Sequence, residues 1–334
     1  MEESKRHNVQ ATARNQAMDI AKGIVIICMV LGHCALLWDI HPFFNSFHMP
    51  FFFIVSGYFF REAAVGTLLR KSVKRLVVPM VFTTLVSALV CWGFFNWGSF
   101  LIRMKGLIYP DGTTDYDVFA ANMPCIGAAW FLAALFWCRL IFLGIHRWFS
   151  GRWLLVSIIL AFIAAYVGAR FLNLPLGILN GLVGMGFYAV GARARERGWD
   201  KQELSPVCWI AFVMVWLYFV GHFQHGMFGF QYTIFYPISF AIACLASLFV
   251  LKLSQQLEKS ERVGKVLNFI GQNTLTILCC HEVARVAKDG LLYWHGKYVT
   301  NENDFFILVT MTFVFALIWL EFRKRSAGWF SINK

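Results

Sequence analysis

Ionisable side chains inside apolar segments are costly in hydrocarbon, so they mark where chemistry is to be sought. Lys22 and His33 share one such segment. Eleven residues at about 100° each return a helix to nearly the same face, and the two side chains then stand roughly 16 Å apart along its axis. One face thus joins a cation near one end to an imidazole near the other, at a spacing close to the length of a phosphopantetheine arm. His48 enters from the next apolar segment, and the short link Asp39 to Pro42 makes the two segments antiparallel neighbours. Both imidazoles are expected roughly 7–8 Å below the same membrane face, where they can meet. Neutral imidazole takes a proton from a hydroxyl near neutral pH. For His33 the pairing with Lys22 favours that role, whereas for His48 a structural role weighs equally. His281, followed by Glu282, reads as an interfacial anchor, and His222 and His225 as solvated loop residues. A three-histidine zinc site would want a carboxylate or thiol at ligand spacing; none is evident, so no metal is expected.

The elements that must position these groups are membrane helices. Of 334 residues, 59% are hydrophobic and 14% charged, against about a quarter charged in soluble domains. Too little polar surface remains to cover a soluble particle. A membrane helix needs about 20 mostly apolar residues, which places spans near 20–38, 43–60, 76–95, 125–143, 153–169, 172–192, 205–221, 231–251, 266–283 and 305–322. The expectation is an all-α integral membrane protein of about ten transmembrane helices, surrounded by membrane lipid. Residues 1–18 form a polar tail, 19–325 the membrane domain and 326–334 a second tail. No signal peptide precedes the first span, so that span itself directs insertion.

Lys and Arg set the orientation. One side holds Arg61, Arg70, Lys71, Lys74, Arg75, Arg147, Arg152, the run 193–201, the run 252–265 and Arg323 to Arg325. The other holds only Arg103, Lys105, Arg170, Arg285, Lys288 and Lys297. By the positive-inside rule both termini are cytoplasmic. The net charge of +12 is spread over these loops rather than gathered in one stripe, which argues against nucleic acid. Eight of nine cysteines lie in apolar segments without a CxxC, as small hydrophobes rather than a metal site or disulfide framework. Cys125 sits at a segment edge.

On the basic side, Arg70, Lys71, Lys74 and Arg75 precede the third span, and helical spacing sets Arg70 with Lys74 beside Lys71 with Arg75. Arg139 lies near the inner end of the fourth span. Such cations can grip phosphates; the plain alternative is topogenic charge. Gly177, Gly181, Gly184 and Gly186 read as a close helix-packing face. Two outer loops, 96–124 and 284–304, are long, and the first carries Tyr109, Asp111, Asp115, Tyr116 and Asp117.

The order of short motifs resembles membrane-bound acyltransferase family 3, in the branch of sugar O-acetylases. The motifs are D-I-A-K-G-I and V-L-G-H around Lys22 and His33, then F-H-M-P-F-F-F-I-V-S-G-Y-F-F-R from Phe47 to Arg61. They continue with R-L-V-V-P from Arg75, A-W-F-L from Ala129, F-Y-A-V-G from Phe187 and I-G-Q-N-T-L-T-I before His281. The family's first-helix hallmark, Lys or Arg, ten residues, then His, is met by Lys22 and His33. The resemblance implies a ten-helix fold in a bacterial cytoplasmic membrane, with acyl-CoA, most simply acetyl-CoA, as cytoplasmic donor and co-substrate. It implies His33 as general base, with Lys22 helping to hold the donor. Lys22, Lys71, Lys74, Arg75 and Arg139 are the candidate donor contacts, although Ser72 stands where the family carries a basic residue. The expected acceptor is a glycan or lipid-linked sugar outside the membrane; lipopolysaccharide, exopolysaccharide, peptidoglycan and periplasmic glucan all fit. Acetyl and succinyl both fit, and the oligomeric state is open. The competing classes are a glycan or lipid transporter or flippase, which lacks the expected repeats and broken helices here, and a sensor with a dead site.

Overall fold

The computed structural model describes residues 15–34, 40–110, 126–168, 174–203, 205–222, 236–294 and 301–332, and among them every regular element is helical. The first helix, α1 (Gln16–Leu31), starts where Asn15 accepts the Met18 N–H at 3.0 Å, so the helix begins within the segment expected as a tail. α2 (His41–Asn45) and α3 (His48–Tyr58) follow, then α4 (Val65–Ser72) and α5 (Val78–Phe94) joined by a widened π turn, Val73–Val77. α6 (Trp97–Lys105) is capped by Asn96, which accepts the Ser99 N–H at 2.9 Å. α7 (Trp130–Trp148), α8 (Gly151–Gly168), α9 (Ile178–Arg197), α10 (Pro206–His222) and α11 (Tyr236–Leu257) continue the chain. α12 (Glu261–Gln272), α13 (Thr274–Trp294) and α14 (Asn301–Ile332) complete it.

Six helices among the described residues are long and apolar enough to cross a membrane: Val65–Phe94, Gly127–Trp148, Gly151–Gly168, Pro175–Arg197, Pro237–Leu257 and Asp304–Lys324. They coincide with six of the ten expected spans. A seventh, Pro206–His222, is apolar but shorter. The remaining three depart from expectation. α1 ends at Leu31, well short of residue 38; the span expected at 43–60 is divided into α2 and α3; and that at 266–283 breaks at Asn273 into α12 and α13. These are the segments that carry Lys22 and His33, His48, and His281. Where polar chemistry displaces apolar residues, the simple length-and-hydropathy rule fails.

The two segments expected as long loops contain helix where they are described. Residues 284–304 are helix up to Trp294 and again from Asn301, and the first loop contains α6. Asp111, Asp115, Tyr116, Asp117, Cys125, Arg170 and His225 lie outside the described residues.

Lipid-facing surface is evident on the periphery. α8 exposes Leu155, Ile159, Leu160 and Ile163, and α14 exposes Phe306, Leu317, Ile318 and Phe322. Apolar faces of this extent are stable only against hydrocarbon. α7 and α9 lie inside, where Trp130, Phe131, Leu132, Phe142, Phe187 and Tyr188 join one core with Ile26, Met29 and Val30 of α1. Two crossings are close enough to require glycine. Gly57 of α3 abuts the Tyr188 backbone while Gly191 of α9 abuts the Ile54 carbonyl. Likewise Gly23 of α1 meets the Leu267 carbonyl and Gly271 of α12 meets the Asp19 carbonyl, fixing the height of α1 against α12. The glycines of α9 therefore serve packing, as Gly181 against Ala134 and Gly184 against Phe53 also show.

Candidate active site

Three imidazoles converge where α1 ends and α3 begins. His33 lies in the turn just after α1, its ring centroid 6.4 Å from that of His48 and 5.1 Å from that of His281. Contact at these ends requires α1 and α3 to run antiparallel, as the short link demands. The His33 Nδ1 lies 2.7 Å from the Met29 carbonyl, and the His48 Nδ1 lies 2.7 Å from the Phe44 carbonyl. A carbonyl oxygen only accepts, so each neutral ring carries its proton on Nδ1 and leaves Nε2 with a lone pair. His48 and His281 are 2% and 0% exposed, whereas His33 is only partly buried. Of the three residues, His33 alone keeps part of its surface uncovered.

The reading of His281 as an interfacial anchor is wrong. It is wholly buried beside His33, because α13 extends past it for three more turns and carries it into the interior. His222, by contrast, is exposed, stacked on Tyr218 and bonded to the Tyr218 carbonyl at 2.7 Å.

His48 is held by the turn before it. Trp216 of α10 stacks on Phe43 with centroids 4.4 Å apart and donates its indole N–H to Ser46 Oγ at 2.9 Å. Ser46 donates in turn to the Phe43 carbonyl at 2.7 Å. Near the middle of α1, Lys22 pairs with Asp19 at 2.5 Å and keeps 21% of its side chain exposed.

A charged node that the sequence did not reveal flanks the imidazoles. Glu282, 0% exposed, accepts from Arg103 at 2.5 Å, from Arg285 at 3.0 Å and from the Ala128 N–H at 3.1 Å. Lys288, also buried, pairs with Asp304 across α13 and α14. Arg103, Arg285 and Lys288 are therefore internal partners rather than loop charges. Glu282 was visible as a carboxylate inside an expected span, but its partner lies 179 residues away. Among the described residues no group of three His, Cys, Asp or Glu is arranged to hold a metal ion.

On the basic face, Gly66, Thr67, Arg70, Lys71 and Lys74 line a half-open depression of about 460 Å3. Arg75 is exposed but is not part of that lining. The cause is local. Pro79 would clash with the carbonyl four residues back, at Arg75, and the chain widens into the π turn, in which the Val78 N–H reaches Val73. Lys74 and Arg75 are thereby displaced from simple α-helical spacing. Arg139 stands apart from this depression, within bonding reach of the Tyr188 hydroxyl, which Ser56 also contacts. The Arg139 Nε is buried and has no hydrogen-bond partner among the described residues.

Comparison with known proteins agrees with the residues. Residues 15–322 match the acyltransferase domain of acyltransferase family 3. A 143-residue stretch is 28% identical to nodulation protein NolL of Mesorhizobium japonicum, covering 37% of this chain and 34% of that protein. A 92-residue stretch is 38% identical to nodulation protein NolL of Sinorhizobium fredii, covering 22% of this chain and 24% of that protein. The matches thus span about a third and a quarter of these relatives' lengths. No solved structure matches. The match to the family covers nearly all of the helical region, six of whose helices are long and apolar enough to cross a membrane, and the chain belongs to acyltransferase family 3.

Proposed function

We propose that the protein is an O-acyltransferase that moves an acyl group, most simply acetyl, from cytoplasmic acyl-CoA to a hydroxyl of an extracytoplasmic glycan or lipid-linked sugar. The observation that carries this reading is the placement of a partly buried imidazole with a bare Nε2 just past the end of α1 and a cation, Lys22, eleven residues earlier in the same helix. His33 Nε2 takes the proton of the acceptor hydroxyl as its oxygen attacks the thioester carbonyl. The C–S bond then breaks, and the leaving thiolate receives a proton, so that the ester and free CoA are the products. His48 borders the same space and orients His33 or the acceptor.

Phosphates of the donor meet the basic face in this reading. Lys71 and Lys74, which line the depression, are the first contacts for them, while Lys22, Arg75 and Arg139 of the expected set stand outside that lining. The orientation rests on the Lys and Arg bias, which puts the basic face in the cytoplasm of a bacterial inner membrane. The test uses purified protein in nanodiscs with acetyl-CoA or succinyl-CoA and a panel of bacterial glycans. Free thiol appearing together with an acylated glycan is the expected result. Glycan movement without thioester cleavage would mark a transporter instead.

A further inference from the structure

Resting on the acyl-transfer reading, we propose that His281, locked in one tautomer by Thr312, is the proton partner of His33 and acts on the acceptor only through it. Thr312 is 0% exposed, and its hydroxyl donates to the Leu308 carbonyl of its own helix at 2.7 Å. A hydroxyl has one hydrogen, so toward His281, 3.3 Å away, Thr312 Oγ1 can only accept. The proton of the neutral His281 ring is thus held on Nδ1. Its Nε2 is buried without a hydrogen-bond partner among the described residues, which is costly for a polar atom unless function uses it. The His33 Nδ1 is likewise committed to Met29. The two rings meet at a steep angle with centroids 5.1 Å apart and no hydrogen bond between them, near enough for one N–H···N bond to form once either Nε2 is protonated and the rings turn toward each other.

The proton inventory closes. As the acceptor oxygen forms its bond to the thioester carbon, its O–H bond breaks and the proton goes to His33 Nε2. While the tetrahedral intermediate persists, that proton is shared with, or passed to, His281 Nε2. Collapse of the intermediate breaks the C–S bond, and the pair returns the proton to the thiolate sulfur, leaving both rings neutral. The charges around the pair are fixed, Glu282 with Arg103 and Arg285, and Lys288 with Asp304, and the His48 ring stands 6.4 Å from that of His33. His281 is therefore a positioning residue whose contribution depends on its tautomer, and Thr312 sets that tautomer.

Thr312→Val keeps the shape of the side chain and removes the hydroxyl, and Thr312→Ser restores the hydroxyl. Histidine-labelled protein in nanodiscs is compared by nitrogen NMR, with His281→Asn used to assign the signal, alongside thiol release from acetyl-CoA. The expected result is a bare Nε2 on His281 in the wild type and loss of that single tautomer in Thr312→Val. Turnover should then fall about tenfold or more with KM for acetyl-CoA unchanged, and Thr312→Ser should recover both. A proton found on Nε2 of His281 in the wild type would overturn the proposal, as would turnover by Thr312→Val within about twofold of normal. Wild-type protein that releases no thiol would count against acyl transfer itself. The tautomer measurement then still decides the lock, which fails if Thr312→Val keeps the Nδ1–H form.

Discussion

Arg103 of α6 donates to Glu282 of α13 at 2.5 Å, with both side chains largely withdrawn from solvent. The same carboxylate also accepts from Arg285 and from the Ala128 backbone, so one anion ties α6, the entry to α7 and α13 together beside His281. A Cβ added at Gly127, at φ +55°, would run into the carboxylate and displace it from these bonds. Removing one partner of a buried pair strands the other charge, at a cost of about 3–5 kcal/mol. Glu282→Met should therefore lower thermal stability in nanodiscs strongly, and Arg103→Met combined with it should recover part of the loss. Equal stability of the single and double variants would show that the pair is not coupled.

The α1–α12 crossing sets the height of Lys22. Gly271 lies so near the Asp19 carbonyl that an added Cβ must push the helices apart. Gly271→Val should shift α1 along with Asp19 and Lys22, reducing donor affinity and stability together. Overpacking of this kind costs about 1–3 kcal/mol. Thermal unfolding and acetyl-CoA titration of the variant give the measure, and an unchanged pair of values would mean that α12 does not set the position of α1.

Much of this site is legible in the sequence because its logic is local. Lys22 and His33 share one helix, and His48 follows after a link too short for any arrangement but an antiparallel one. The glycines of α9 announce close packing by spacing alone. What the sequence hides is non-local. Glu282 needs Arg103, and His281 needs Thr312, which is 31 residues on and on a different helix. Hydropathy also misplaces α12 and α13, since paired charges such as Lys288 with Asp304 are tolerated inside although they read as loop residues. The widening before Pro79 could be suspected from the proline, but its consequence for Arg75 required the backbone.

The basic depression yields a prediction about the donor. Arg70, Lys71 and Lys74 line it, whereas Arg75 does not. Neutralising Lys71 and Lys74 together should weaken acetyl-CoA binding by tenfold or more, since charge-assisted bonds are worth about 1.5–3 kcal/mol each. Arg75→Gln should have the smaller effect. The measurement is CoA affinity by calorimetry on folded, inserted protein. Unchanged affinity in the double variant would reduce the cluster to a topological signal.

His33 carries the sharpest prediction. His33→Ala removes a polar group from beside a membrane core and leaves α1, which ends at Leu31, intact. Folding should survive, and donor binding should survive too, because Lys22 stands about three helical turns away. Transfer to the acceptor should nevertheless fall by about 10²–10⁴, the usual contribution of a general base. His48→Ala should cost less, since its ring lies 6.4 Å from His33, is 2% exposed and is anchored to Phe44. The comparison to make is turnover at saturating acetyl-CoA for the two variants, with acyl-CoA affinity measured in parallel. Near-normal turnover by His33→Ala would remove it from the chemistry. A collapse confined to His48→Ala would move the base to α3, where the Nε2 lone pair left by its Phe44 bond could serve instead.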